Sequence, residues 1–296
     1  MELIKLGDLT KLTGQYVATI GMFDGVHLGH QKILERMKNI AKGVFKTIVI
    51  TFYPHPDYVL NKRKDYGYID ILENKVANLS KYDIDYVLVI DFTKEFATLS
   101  SEEFINIIKT VNIVTFVIGS DFKFGYKGQG NYRDLMKIAL VDVVEEVKYK
   151  DDKLGSNTIR NLLSIGNVSQ ANKLLGRNYS ISGIVKYGRQ IGHKLGFPTA
   201  NIDVEETFLK NGVYISKVFI SDDSYYAVCN LGNNPTLNYV NKRRLEVHII
   251  NFKEDIYNQY ITVEFIDFIR DEIKFETKEQ LIKQISEDVE KVKQYI

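Results

Sequence analysis

The feature that most constrains this chain is a change of period along it. Up to about residue 140, short runs of apolar β-formers alternate with segments of helical spacing. The runs are "QYVATIGM" (15–22), "FKTIVITF" (45–52), "DYVLVIDF" (85–92) and "IVTFVIGS" (113–120). Strands that are apolar almost throughout suit a parallel sheet covered on both faces. Between the first two, Ile33, Leu34, Met37 and Ile40 recur at helical spacing. Between the last two, "LSSEEFINIIKTV" places Ser100 and Glu103 for a capping box ahead of an apolar stripe. This alternation predicts a doubly wound α/β layer.

Beyond about residue 180 the helical spacing stops. "SISGIVKYG", "GVYISKVFI", "YYAVCNLG", "RRLEVHIINF" and "YITVEFIDFIR" read as strands, with turns expected at Gly188, Gly232, Asn233, Asn234 and Pro235. Sequential strands joined by short turns predict an antiparallel barrel or sandwich. One helix closes the chain, capped by Thr277 and Gln280, with Leu281, Ile285, Val289 and Val292 on its apolar face. Residues 156–178 read as two short helices. Two domains are therefore expected, an α/β domain over 1–178 and a β domain over 179–296.

Bulk properties narrow the classes of function. A chain of 296 residues with 45% hydrophobic content can bury a sizeable core. Thirty-nine basic against 38 acidic residues leave a net charge of +1, so no global field favours nucleic acid or an anionic membrane. The single cysteine, Cys229, excludes an intramolecular disulfide framework and a cysteine-rich zinc site. "MELIKLGDLT" lacks the apolar core of a signal peptide, and no 18-residue apolar run occurs. A cytoplasmic protein is the expectation.

Two stretches are dense in chemistry. "GMFDGVHLGHQ" (21–31) runs off the first strand and into the helix carrying Ile33, Leu34 and Met37. Ligands of open α/β sheets bind at the carboxyl ends of strands, where helix N-termini point. Gly21 and Gly25 permit a tight turn, while His27 and His30 fall at the start of the helix, where backbone N–H groups favour anions. A metal site, a phosphate cradle and a turn with capping histidines all fit this spacing. The second stretch, "GRQIGHKLGFPTAN" (188–201), packs three glycines and a proline into a loop folded closely around something.

With these residues in view, "HLGH" after "FDG" resembles the signature of the nucleotidylyltransferase superfamily. "GMFDGVHLGHQ" resembles its flavin branch, as do "TFYPHP" (51–56), "ENKVANL" (73–79), "LSSEEF" (99–104) and "GSDFKFGYKGQGN" (119–131). The front half is similar to the FAD synthetase half of the prokaryotic bifunctional riboflavin kinase/FMN adenylyltransferases. "PTAN" with its glycine-rich loop resembles the riboflavin kinases, as do "KNGVYIS" (210–216), "NLGNNPTL" (230–237), "RRLEVHIINF" (243–252), "DIYNQYITVEF" (255–265) and "FIRDEIKFET" (268–277). The resemblance covers essentially the whole chain.

It implies a nucleotidylyltransferase-like front domain and an antiparallel riboflavin kinase β-barrel with a terminal helix. It also implies two ATP-dependent steps, riboflavin to FMN and FMN to FAD. In the front domain, His27 and His30 would contact the ATP phosphates, Gly21, Phe23, Asp24 and Gly25 would shape the turn, and His55, Asp121, Phe124, Ser156 and Arg160 would line the site. In the rear domain, Thr199 and Asn201 would hold Mg2+, and Gly188, Gly192, Lys194, Gly196 and Pro198 would wrap the nucleotide. Glu246 would be the base for the ribityl hydroxyl, with Arg270 near the flavin. From strand alternation alone Glu246 faces solvent beside Arg244, or turns inward at a cost. Arg270 alternatively pairs with a carboxylate near Asp271 or Glu272. "LGSNTIR" (154–160) departs from the superfamily's Ile-Ser-Ser-Thr pattern by Gly155 and Asn157, and Asn131 stands where Asp is common. The departures leave two alternatives, a kinase with a weak or inert adenylyltransferase domain and a flavin-sensing protein without catalysis. No tryptophan is present, so flavin stacking would fall to Tyr or Phe.

Overall fold

The structure is a computed structural model that describes residues 1–295 apart from 61–66, 189–191, 193–194, 205–206 and 234–242. The chain divides into two units, Met1–Ser156 and Asn157–Ile296.

The strands of the first unit are β1 (Glu2–Ile4), β2 (Tyr16–Ile20), β3 (Lys46–Tyr53), β4 (Tyr86–Asp91), β5 (Ile113–Gly119), the hairpin of β6 (Lys123–Phe124) and β7 (Gly130–Asn131), β8 (Leu140–Val144), and the hairpin of β9 (Lys148–Tyr149) and β10 (Asp152–Lys153). Its helices are α1 (Leu28–Ala41), α2 (Pro56–Val59), α3 (Leu72–Ser80), α4 (Ser101–Ile108) and α5 (Tyr132–Leu135). Six strands form one sheet in the order β1-β4-β3-β2-β5-β8, every pair parallel. The two-residue strand period sorts their side chains into two cores. Ala18, Ile48, Ile50, Leu88 and Phe116 join Phe104 and Ile108 of α4 on one face. Val17, Val49, Val87 and Val117 join Leu34 and Met37 of α1 and Leu79 of α3 on the other. This is the doubly wound layer expected. The capping box of α4 is present, with Ser100 Oγ accepting from the Glu103 N–H at 3.2 Å. The three-residue β1 and the edge strand β8, with Leu140 and Val143 exposed, join the sheet in addition to the four expected strands. β2 lies between β3 and β5, where the winding reverses, so the turn after β2 opens at the crevice.

In the second unit, α6 (Ser156–Ser164) starts at the boundary and α7 (Val168–Leu175) follows. The strands are β11 (Tyr179–Ile184), β12 (Ala200–Val204), β13 (Gly212–Ile220), β14 (Asp223–Asn233), β15 (Arg243–Ile249) and β16 (Tyr260–Arg270), and α8 (Lys278–Lys293) ends the fold. They pair antiparallel in the order β11-β16-β13-β14-β15-β12. Just past β11, the Lys186 N–H donates to the Asn201 carbonyl at 2.8 Å, which brings the two ends together into a nearly closed barrel. Ile202, Tyr214, Cys229, Leu231, Leu245, Val247 and Phe265 are buried. On an outer face, Val213, Ile215 and Val228 pack with Val289 and Val292 of α8, and Thr277 caps that helix by accepting from the Gln280 N–H at 3.3 Å. Gly232 and Asn233, expected in a turn, instead end β14, because they pair with Arg244 and Arg243 of β15. Asn234 and Pro235 lie outside the described residues.

Candidate functional site

The turn after β2 is held in a conformation side chains resist. Phe23, Gly25 and Val26 take φ of +48°, +83° and +39°, a left-handed region that costs non-glycine residues about 1–2 kcal/mol each. The surroundings supply the restraint. Asp24, 1% exposed, accepts through Oδ1 from the N–H groups of Ile69 (3.0 Å) and Asp70 (3.3 Å). Its carbonyl accepts from Ser156 Oγ at 3.0 Å, and Gln31 Nε2 donates to the Val26 carbonyl at 2.8 Å. A Cβ on Gly25 would lie 2.8 Å from Cγ2 of Ile69, so strain and collision coincide there. Gly25→Ala is expected to destabilise the first unit by about 1–3 kcal/mol, read as a lower denaturant midpoint. A midpoint equal to wild type would show that the turn is not restrained as described.

This turn delivers two histidines onto α1. His27 is its N-cap residue and 4% exposed. The His27 and His30 rings stack with centroids 3.8 Å apart and planes 20° apart, and Phe23 packs on His30 at 4.8 Å. Gly29 makes this possible, since a Cβ there would lie 3.1 Å from Cε1 of His27. Burial, then the neighbouring charges of His27, Lys75 and Lys153, hold His30 well below the ordinary histidine range, so the ring is neutral near pH 7. The first turn of α1 carries no acidic side chain. Its amide dipoles thus remain available to an anion, and two imidazoles flank them. A signal that sequence reading missed is Lys75 of α3, 1% exposed, with Nζ 3.4 Å from the Phe52 carbonyl. Burial lowers its pKa, against the pull of Asp24 and Asp70.

The other front candidates separate. Phe124 is packed between Phe104 and Phe122, both at 5.4 Å, and walls a cavity of about 430 Å³ together with Phe52, Phe92 and Phe96. Gly21 lies on the rim of the same cavity. His55 is a helix cap: its Nδ1 accepts from the Asp57 N–H at 3.1 Å at the start of α2. Asp121 pairs with Lys153, which also approaches Glu146 at 3.5 Å. Arg160 belongs to the second unit, where Nη1 donates to Asn157 Oδ1 at 2.9 Å and the guanidinium lies over Phe208. The departures from the superfamily pattern are accommodated locally. Asn131 caps α5 by accepting from the Arg133 N–H at 3.0 Å, as an aspartate could, and a Cβ on Gly155 would meet nothing within 4 Å.

In the second unit, barrel register assembles a site from distant sequence. Asn201, Glu246, Asn230, Val213 and Arg270 are successive cross-strand neighbours over β12, β15, β14, β13 and β16. Directly opposed side chains share a face and sit about 4.5–5.5 Å apart at Cβ, so the row forms one wall of a cavity of about 390 Å³. Glu246 is exposed to this cavity on the outer face of the barrel, while Leu245 and Val247 fill the interior. Of the two positions that strand alternation allows, Glu246 takes the outward one beside Arg244. Arg244, on the same face, reaches Asp203 at 3.3 Å.

Gly192, Leu195, Phe197 and Thr199 of the glycine-rich stretch also line the cavity. Asn201 Nδ2 donates to the Thr199 carbonyl at 3.2 Å, and any Cβ on Gly188 would strike the Asn201 amide. Gly192 lies against the Phe197 carbonyl, its own carbonyl accepting from the N–H groups of Leu195 (3.1 Å) and Phe197 (2.8 Å). Gly196 turns the loop at φ +87°. The Pro198 carbonyl holds His248 Nδ1 at 2.9 Å, and Lys194 lies outside the described residues. Arg270 pairs with neither Asp271 nor Glu272 side chains but with Asp288 of α8, its Nη2 donating to Oδ2 at 2.7 Å. Asn230 and Asp288 were missed because their partners are distant in sequence.

Comparison with known proteins matches both halves of the chain. The family model for FAD synthetase matches residues 9–158, and that for riboflavin kinase matches residues 175–296. A protein of Buchnera aphidicola from Schizaphis graminum, named bifunctional riboflavin kinase/FMN adenylyltransferase, is 39% identical over 100% of this chain and 99% of its own. The chain belongs to the bifunctional riboflavin kinase/FMN adenylyltransferase family. A family member of the same name from Listeria monocytogenes is 37% identical over 92% of this chain and 90% of its own. A solved Streptococcus pneumoniae structure, described as a macrolide-efflux protein, superimposes with a TM-score of 0.89 at 30% identity over 99% of both chains. Among the described residues, no helix is long and apolar enough to cross a membrane.

Proposed function

We propose that this chain converts riboflavin to FMN and FMN to FAD, one ATP being used at each step and the two reactions occurring at separate sites. The row from Asn201 through Glu246 to Arg270 carries the reading, because it gathers a carboxylate, hard oxygen donors and a guanidinium in one cavity. We assign adenylyl transfer to a domain over 1–178, phosphoryl transfer to one over 179–296, and the cytoplasm as the place of action. Neither site requires a nucleic acid or membrane partner.

In the kinase step, the 5′-hydroxyl oxygen of the ribityl chain bonds to the γ-phosphorus of ATP, and the bond to the β–γ bridging oxygen breaks. Glu246 accepts the hydroxyl proton, which raises the nucleophilicity of the oxygen as the bond forms. Backbone N–H groups of the glycine loop cradle the phosphates. Thr199 and Asn201 would hold Mg2+, which supplies charge neutralisation at the transferring phosphoryl group. The donor set fits: a hydroxyl and an amide oxygen are hard and neutral, and this ion retains waters and phosphate oxygens. Excess chelator is therefore expected to abolish FMN formation and added Mg2+ to restore it, followed by chromatographic separation of the flavins. Turnover persisting in the chelator would remove the ion from the reading.

In the second step, an FMN phosphate oxygen attacks the α-phosphorus of ATP and pyrophosphate leaves. The protein supplies position and charge stabilisation rather than a nucleophile. The flavin ring suits the phenylalanine-walled cavity of about 430 Å³, whose rim at Gly21 adjoins the turn that carries His27 and His30. These rings and the α1 amides would bind the triphosphate, with Ser156, whose Oγ already donates to the Asp24 carbonyl, beside the same turn. Incubation with riboflavin, ATP and Mg2+ tests the whole reading. FMN should appear first and FAD after it; FMN alone would leave a kinase with an inert front domain.

A further inference from the structure

Arg270 occupies the end of the kinase row, and its geometry goes beyond contact with the cavity. Nε lies 3.2 and 3.0 Å from the two carboxylate oxygens of Asp288, and Nη2 donates to Oδ2 at 2.7 Å. Nη1 donates to the Asp271 carbonyl at 3.0 Å. A guanidinium has five N–H groups, so two remain, one on each terminal nitrogen. Asp288 is 1% exposed and takes a further bond from Gln284 Nε2 at 3.2 Å, which locks it on α8. Fork-on-fork pairing fixes the guanidinium plane as well as its position. Phe275 lies beneath that plane, its centroid 6.0 Å from the guanidinium carbon. Beside it, Ile273, Leu281 and Ile285 add an apolar wall to the cavity.

Resting on the kinase reading, we infer that Asp288 is a positioning residue: it holds Arg270 so that the two remaining N–H groups donate to the carbonyl edge of the riboflavin ring against the wall made by α8. Charge explains why the flavin rather than the nucleotide is the target. A cation already matched by a buried carboxylate contributes little net positive field, so it is poorly suited to draw a triphosphate. It still presents directed donors, which suit neutral carbonyl acceptors on an uncharged substrate. The terminal helix is then part of the flavin site, and its apolar face does more than cover the barrel.

The test is steady-state kinetics of FMN formation in the full chain. Asp288→Asn keeps the shape but loosens the fork, and is expected to raise the KM for riboflavin about tenfold, the value of one charge-assisted hydrogen bond. The KM for ATP should stay within twofold. Arg270→Lys retains the ion pair with Asp288 but lacks the two outward donors, so it should reproduce the riboflavin effect even if Asp288→Asn folds poorly. FAD formation from supplied FMN, carried by the other unit, should match wild type in both, and the unchanged KM for ATP in the kinase step reports an intact barrel. An unchanged riboflavin KM in Arg270→Lys, or KM values for riboflavin and ATP rising together, would overturn the inference while leaving the kinase reading intact. Failure of the wild-type chain to phosphorylate riboflavin would overturn both.

Discussion

Glu246→Gln is expected to lower FMN formation by about 100- to 10,000-fold, the range contributed by a positioned general base, while FAD formation from supplied FMN continues at the wild-type rate. The amide keeps the size and the strand position of the carboxylate but cannot accept the hydroxyl proton. Because Glu246 is on the outer barrel face, with Leu245 and Val247 carrying the core contacts, the substitution removes chemistry with little effect on folding. Initial rates for each step, measured by chromatography of the flavins, separate the two. Equal loss of both steps would contradict independent sites, and retained FMN formation would take the base assignment from Glu246.

His30→Ala should do the reverse, lowering FAD formation from FMN by about 100- to 1,000-fold, as expected for the loss of one donor to developing charge, and leaving riboflavin phosphorylation unchanged. The neutral ring has one N–H to donate, and the low pKa set by burial keeps it neutral over the physiological range. The rate of the second step should therefore show no inflection from His30 between about pH 6 and 8. His30→Gln, which retains an N–H donor, should recover part of the loss. Wild-type FAD formation in His30→Ala would move the charge stabilisation elsewhere, with the buried Lys75 the next residue to test.

The architecture was legible because its signals are periodic and local. Apolar runs placed β2 to β5 within one or two residues, and the Ser100–Glu103 and Thr277–Gln280 pairs marked the starts of their helices. Motif residues such as His27, Asn201 and Glu246 were legible for a different reason: their types in that order are distinctive. What could not be read was the partner of a charged side chain. A buried lysine such as Lys75 is spelled like any surface lysine on a helix. Asp288 reaches Arg270 only because α8 lies across the barrel, 18 residues downstream. Asn230 gains its place from register alone, since a shift of one residue in β14 would turn it to the other face.

Strand β15 also has a bearing on how such a protein diverges. Along Arg243–Ile249, the residues that stabilise the barrel and those that face the cavity alternate strictly, Leu245 and Val247 between Arg244, Glu246 and His248. Point substitutions can therefore retune one property at a time: an even-numbered position alters selectivity or rate, and an odd-numbered one alters melting temperature. Insertions and deletions have no such freedom, because a single added or lost residue exchanges the two sets at once. Lineages of this chain should accordingly vary by replacement in β15 and keep its length constant.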